Sequence, residues 1–241
     1  MKLSEAEIYP DAEHLAEAGA QHLLERAHHA FTLHDAFHVA LAGGHTPAAL
    51  YRRLAAHADG SDWSKWHVYF GDERCVPPDD LQSNYRMARE AMLDALPIPF
   101  EQIHPMVNHP EAPARDAAAY AELLTTLPQA EGWPVFDLIL LGIGPDGHTA
   151  SLFPDSTLLA ETEQTVVAGF VPQQRMNRVS LTRPVLEHAR ELAFLVCGAE
   201  KAPVIGAIER GEHRNYPVQQ LAPQGRVSWW LDAAAAEEIR S

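Results

Sequence analysis

The stretch Phe136 to Pro154, FDLILLGIGPDGHTASLFP, constrains the fold more than any other. Phe136 to Leu141 is a short apolar run rich in Leu and Ile. Such a run suits a strand buried on both faces of a parallel sheet. Gly142, Gly144 and Gly147 end it abruptly, and Asp146 and His148 sit among those glycines. A buried strand that feeds a Gly-rich turn delivers polar side chains to the carboxyl edge of a sheet, where open α/β folds bind ligands. Histidine is the side chain best poised for proton transfer near neutral pH. An ordinary strand-to-helix turn, with Asp146 as a turn residue and His148 exposed, fits the stretch equally well.

The same pattern recurs along the chain. Phe37 to Ala42 reads as a short strand, followed by Gly43-Gly44-His45-Thr46-Pro47 and a helix from Ala48 to Ala58. Paired glycines, a hydroxyl and a helix start make an anion cradle, because the backbone can approach closely and free N–H groups favour negative charge. Pro47 fits the first turn, where no N–H is missed. The spacing matches neither a dinucleotide fingerprint nor a Walker loop. Trp66 to Phe70 is another strand, ending in Gly71-Asp72-Glu73-Arg74. Three consecutive charges at a strand end are unusual for a purely structural turn, and an Arg there can bind an oxyanion or orient a carboxylate. Ser83 is a candidate cap for a helix from Arg86 to Leu96. Cys75 reads as incidental, since nothing nearby is built to lower its pKa.

Amphipathic spacing from Asp11 to Phe31 predicts a helix packed on the domain. His14, His22, His28, His29, His34 and His38 crowd this region without metal-ligand spacing, and solvated histidines are the expectation. Ala114 to Leu127 reads as a helix and Thr165 to Val171 as a strand. Arg178 to Thr182 alternates polar and apolar as a half-exposed strand does, with Arg178 either leaning into a cleft or lying on the surface. Glu191 to Cys197 is a strand closed by Gly198, and a helix begins near Lys201. A cation in the first turn of a helix is unfavourably placed, which suggests that Lys201 meets a bound anion. Asp232 to Ile239 reads as a capped closing helix. Strands alternating with helices predict a doubly wound, mainly parallel sheet in one domain spanning residues 1–241.

Composition narrows the partners. The net charge is −15 over 241 residues, which argues against nucleic acid or an anionic membrane. An anionic ligand must then be held by a local cluster of donors. Only three lysines occur, Lys2, Lys65 and Lys201, so a lysine in a cleft motif stands out. Two cysteines supply neither a disulfide framework nor zinc spacing, and a cytoplasmic location is expected.

Several motifs agree with one family. AGGHTP at Ala42 to Pro47, FGDERCVPP at Phe70 to Pro78, SNY at Ser83 to Tyr85 and GIGPDGHTASLFP at Gly142 to Pro154 are similar to those of 6-phosphogluconolactonases. RVSLT at Arg178 to Thr182 and CGAEK at Cys197 to Lys201 match as well, in family order, from about residue 37 to 205. The resemblance implies a Rossmann-like α/β sheet shared with glucosamine-6-phosphate deaminases and ribose-5-phosphate isomerases. It implies hydrolysis of 6-phospho-D-glucono-1,5-lactone by general-base activation of water, with no cofactor and no metal. By the same resemblance His148 is the base, Asp146 orients or polarises its neighbourhood, and Arg74 is a cation near the lactone or its developing oxyanion. Gly43, Gly44, Thr46, Arg178 and Lys201 are the implied phosphate grip. His45 departs from the Ser common in the family. A monomer or weak homo-oligomer that takes a phosphosugar lactone is expected.

Two rivals remain at this point. A glucosamine-6-phosphate deaminase-like isomerase would carry an acidic residue soon after DGH, whereas Thr149 to Phe153 has none, and an aromatic where Arg74 stands. A non-catalytic sugar-phosphate sensor would need a basic DNA-binding segment, which is not evident in this chain.

Overall fold

The computed structural model describes Leu3, residues 5–212 and residues 215–239. Its frame is a six-stranded sheet in the order β1-β11-β10-β7-β2-β3, with every neighbouring pair parallel. The strands are β1 (Glu7–Tyr9), β2 (Phe37–Leu41), β3 (Trp66–Phe70), β7 (Leu138–Leu141), β10 (Glu191–Val196) and β11 (Arg226–Asp232). Every residue of β7 and β10 is buried, as expected of central strands covered on both faces. At roughly 1.5–3 kcal/mol for each fully buried Leu or Ile side chain, the continuous apolar runs explain why these strands hold the centre. The three-residue edge strand β1 was not foreseen.

Three smaller strands leave this plane. β4 (Asp72–Arg74), β8 (Val166–Val171) and β9 (Met176–Leu181) form an antiparallel sheet in the order β4-β9-β8. Gly71 is the joint between the two sheets: its N–H donates to Leu41 O and its carbonyl accepts from Leu181 N, both at 2.9 Å. The antiparallel sheet therefore stands at the carboxyl edge of β2 and β3. β5 (Gln129–Ala130) and β6 (Trp133–Pro134) make a separate short hairpin.

The helices are α1 (Ala12–His34), α2 (His45–Ala56), α3 (Asn84–Ala88), α4 (Pro113–Leu124), α5 (Thr157–Ala160), α6 (Arg183–Glu187) and α7 (Ala202–Glu209). Ser83 caps α3 by accepting from Arg86 N–H, as foreseen, and Asp11 caps α1 by accepting from Glu13 and His14 N–H. α3 runs into a single π-helical turn, Arg89–Leu93, instead of continuing as α-helix to Leu96. α2 begins three residues earlier than predicted, directly after Gly44.

Three expectations are corrected. Residues 178–182 are all buried, because α4 covers the antiparallel sheet, so β9 is not half-exposed. The closing segment is a turn and a short 3-10 helix, Glu237–Ile239, rather than an α-helix. Asp232 accepts from Gly198 N–H and Ala235 N–H and ties the chain end to the β10–α7 turn. The histidines at the start of the chain are not uniformly solvated. His22 pairs with Glu191 at 3.0 Å and His34 with Asp137 at 2.9 Å, and His38 is largely buried.

Candidate active site

The chain leaves β2 through α2 to β3 on one side, while β7 lies on the other side of β2 and leads on to β10. The carboxyl ends of β2 and β7 therefore flank the point where the winding reverses, the usual place for a ligand in an open α/β sheet. A cleft of about 310 Å³ opens there. Its floor is Ala42 to Gly44 after β2 and Gly142 to Pro145 after β7. Asp72, Arg74 and Arg178 supply one wall from the antiparallel sheet, and His148, Ala150, Phe153 and Lys201 also line it.

His148 is held from three sides. Its Nδ1 lies 2.5 Å from Asp146 Oδ1, which also accepts the His148 backbone N–H at 3.2 Å. The ring stacks on Phe153 with centroids 3.9 Å apart. A Cβ at Gly144 would fall 2.0 Å from Nδ1, so only glycine lets the Asp146–His148 pair lie against this turn. Gly147, at φ +74°, lets the turn form and receives the Tyr216 ring where a side chain would stand. Asp146 does not line the cleft; it stands behind the imidazole and is both turn former and partner of Nδ1. A carboxylate on Nδ1 fixes that nitrogen as the donor and leaves Nε2, which has no protein partner among the described residues, as the basic atom.

The DER triplet divides its work by strand alternation. Asp72 and Arg74 face the cleft together with Arg178, which sits directly across from Arg74 in the β4–β9 pairing. Glu73 points the other way and is buried against the start of α3. It accepts from Arg74, Asn84 and Tyr85 N–H and from the Ser83 hydroxyl at 2.7–3.0 Å. Desolvation raises its carboxyl above the usual range, partly offset by those donors.

Arg178 is 6% exposed and poorly supplied with acceptors. Its only ion pair among the described residues is Nη1 to Asp72 Oδ2 at 3.3 Å, and its buried Nε has no partner. Burial pulls the guanidinium below its ordinary value, Asp72 pulls it back, and Arg74 adds repulsion. Two like charges directly opposed across a strand pair, one with an unsatisfied donor, make a site short of an anion. Asp72 also accepts from the Ser151 hydroxyl, linking the arginine wall to the loop that carries His148.

Lys201 lies in the 3-10 turn before α7 and donates to Ile143 O at 2.9 Å, which leaves two ammonium donors. The N-terminus of α2 has no side-chain cap, and Gly44 at φ +106° turns it toward the cleft. Its first-turn N–H groups are therefore available to an anion.

The structure thus brings His148, Arg74, Arg178, Lys201, Gly43 and Gly44 to one cleft, with Asp146 immediately behind. It does not place Thr46 there. Burial pushes the nearby Cys197 thiol up to about 11. His45 is exposed and lines no part of the cleft. Burial likewise pushes Cys75 up to about 11, which fits an unreactive thiol. Sequence reasoning missed Asp72, Asn84, Phe153 and Gln174 as lining residues. Of these, Asp72 alone carried a signal, its spacing of two from Arg74 on a strand.

The family profile described as glucosamine-6-phosphate isomerases/6-phosphogluconolactonase matches residues 10–230. The chain belongs to this family. It is 43% identical to a 6-phosphogluconolactonase of Synechocystis over 206 residues, 84% of either chain. It is 39% identical to the human 6-phosphogluconolactonase over 239 residues, covering 95% of this chain and 91% of that one. The 6-phosphogluconolactonase structure from Trypanosoma brucei superposes with a TM-score of 0.84 at 31% identity, covering 97% of this chain and 98% of that one. Family membership and the parallel sheet agree with the Rossmann-like fold expected from the motifs.

Proposed function

We propose that this chain is a lactonase that hydrolyses 6-phospho-D-glucono-1,5-lactone to 6-phospho-D-gluconate, a step of the oxidative pentose phosphate pathway. One observation carries the reading. An imidazole with a carboxylate on Nδ1 and a free Nε2 shares a cleft with a buried guanidinium whose Nε has no acceptor among the described residues. A cleft of about 310 Å³ is of the size that holds a single small ligand.

The chemistry follows from those groups. A δ-lactone is an activated ester, so one base and a set of donors suffice. Nε2 of His148 takes a proton from water as its oxygen adds to the lactone carbonyl. Asp146 stabilises the imidazolium that forms and keeps the ring in register. The tetrahedral intermediate expels the ring oxygen, which takes the proton back from Nε2 and becomes the sugar hydroxyl. Arg74 faces the carbonyl end and stabilises its developing charge. Arg178, Lys201 and the N–H groups after Gly43 and Gly44 hold the phosphate, and that remote grip fixes the carbonyl for attack.

No helix among the described residues is long and apolar enough to cross a membrane. We place the activity in the cytoplasm, with a monomer or weak homo-oligomer as the working unit. The test is a spectrophotometric assay of the purified protein, with freshly formed lactone coupled to 6-phosphogluconate dehydrogenase. Hydrolysis well above the spontaneous rate is expected. A rate equal to the spontaneous one, with ammonia released from glucosamine 6-phosphate, would replace this reading by the deaminase.

A further inference from the structure

Asn84 is the first residue of α3 and is 2% exposed, yet its side chain meets three separate parts of the cleft. Its Oδ1 accepts from Arg74 Nη1 at 2.8 Å. Its Nδ2 donates to the Asp72 main-chain carbonyl at 2.8 Å. On the third side it fills the space beside Gly43, where a built Cβ would come within 1.9 Å of Oδ1. The amide is thus wedged between the phosphate loop and the arginine wall, with both ends hydrogen-bonded.

The partners of Arg74 are unusual for a half-buried guanidinium. Nη1 donates to Asn84 Oδ1 and to the Gln82 carbonyl, both at 2.8 Å. Both acceptors are neutral, and among the described residues no carboxylate lies within ion-pair distance of Arg74. Neutral acceptors fix the orientation of a guanidinium without cancelling its charge, which stays available to an anionic ligand. An aspartate at the same place would neutralise Arg74 and would give up the donation to the Asp72 carbonyl.

We infer that Asn84 is a positioning residue: it aims Arg74 into the cleft, ties it to Gly43, and keeps its charge unpaired. The inference rests on the proposed reading that Arg74 faces the substrate. It assigns the buried asparagine a role in the reaction that acts through Arg74.

The test is a double-mutant cycle of Asn84→Ala and Arg74→Ala, with Asn84→Asp as a third variant. kcat and KM for the lactone, Kd for 6-phosphogluconate by calorimetry, and the melting temperature are read for each. Asn84→Ala is expected to lose about tenfold in kcat/KM, the effect of one hydrogen bond to a charged group, on the same parameter that Arg74→Ala moves. The double variant should be no worse than Arg74→Ala. Asn84→Asp keeps an acceptor for Arg74 but neutralises it, and should bind 6-phosphogluconate more weakly than Asn84→Ala whatever its melting temperature, an order that a merely structural residue would not produce. Losses that multiply in the double variant, or an Asn84→Asp enzyme as active as the wild type, would overturn the inference. A wild type that binds 6-phosphogluconate with this same pattern but hydrolyses nothing would overturn the proposed function and leave the inference standing. A wild type that neither binds nor hydrolyses would overturn both.

Discussion

Acidification should loosen this fold well before its carboxylates titrate. The perturbation acts on a ribbon of histidines at the amino end of β2 and β3, far from the cleft. His38 lies 5.0 Å from His67 and 6.1 Å from His34, measured between ring centroids, and His104 lies 6.0 Å from His67 and 4.5 Å from Tyr69. Asp137 faces His34 and the His38 backbone N–H, and is itself shared with Arg190. The imidazole nitrogens His38 Nδ1 and His104 Nε2 are buried without partners. Desolvation first, and neighbouring rings second, lower both histidines from 6.5 to about 4.

Both folded values lie below the unfolded one, so the neutral rings contribute stability above pH 6.5 that is lost as the pH falls toward 4. At about 1.4 kcal/mol per unit, each histidine contributes roughly 3 kcal/mol, and the coupled pair between roughly 3 and 6 kcal/mol. Glu73 works in the opposite sense, because burial raises its carboxyl and protonation there favours the fold. Urea unfolding at pH 7.5 and pH 4.5 reads the difference. With a slope of about 3 kcal/mol per molar urea, the midpoint should fall by at least about 1 M. The double variant His38→Gln, His104→Gln leaves Glu73 and the Asp137 pair in place and should lose most of that pH dependence. Parallel declines in wild type and variant would refute the reasoning.

The site yields three further expectations. Asp146→Asn should lower kcat by about 10- to 100-fold with KM little changed, because one charge-assisted hydrogen bond on Nδ1 is weakened; steady-state kinetics check it. Gly144→Ala should abolish most turnover while leaving the far-ultraviolet spectrum intact, since the new methyl falls on the His148 ring and not on a strained backbone. Lys201→Ala should chiefly raise KM, by about tenfold or more, and calorimetry with 6-phosphogluconate should show a matching loss of affinity.

Where local chemistry decides the structure, the sequence was legible. The apolar run before Gly142 suited a buried strand, and β7 has no exposed residue. Gly43 and Gly44 before a helix start pointed to the uncapped helix end that borders the cleft. The awkward placement of Lys201 beside a helix start pointed to the cleft it lines. What could not be read depends on pairing across the chain. Asp72, Glu73 and Arg74 looked alike until β4 paired with β9, 106 residues away at the Asp72–Arg178 contact, and sorted them between two faces. Asn84 looked like a helix start, and its role comes from the missing side chain of Gly43, far off in sequence. Thr46, whose hydroxyl in a glycine loop suits phosphate, is not among the residues that line the cleft. Asp232 was legible only in part: it caps the turn that follows through Ala235 N–H, and the Gly198 N–H that it also accepts comes from a distant loop.

The central claim is that His148 Nε2 removes a proton from water while cations elsewhere in the cleft hold the phosphate. Replacing His148 with Ala and measuring lactone turnover beside 6-phosphogluconate affinity tests it most directly. The account predicts that kcat falls at least about 100-fold while Kd stays within about threefold. A His148→Ala enzyme that turns over lactone at the wild-type rate would contradict it.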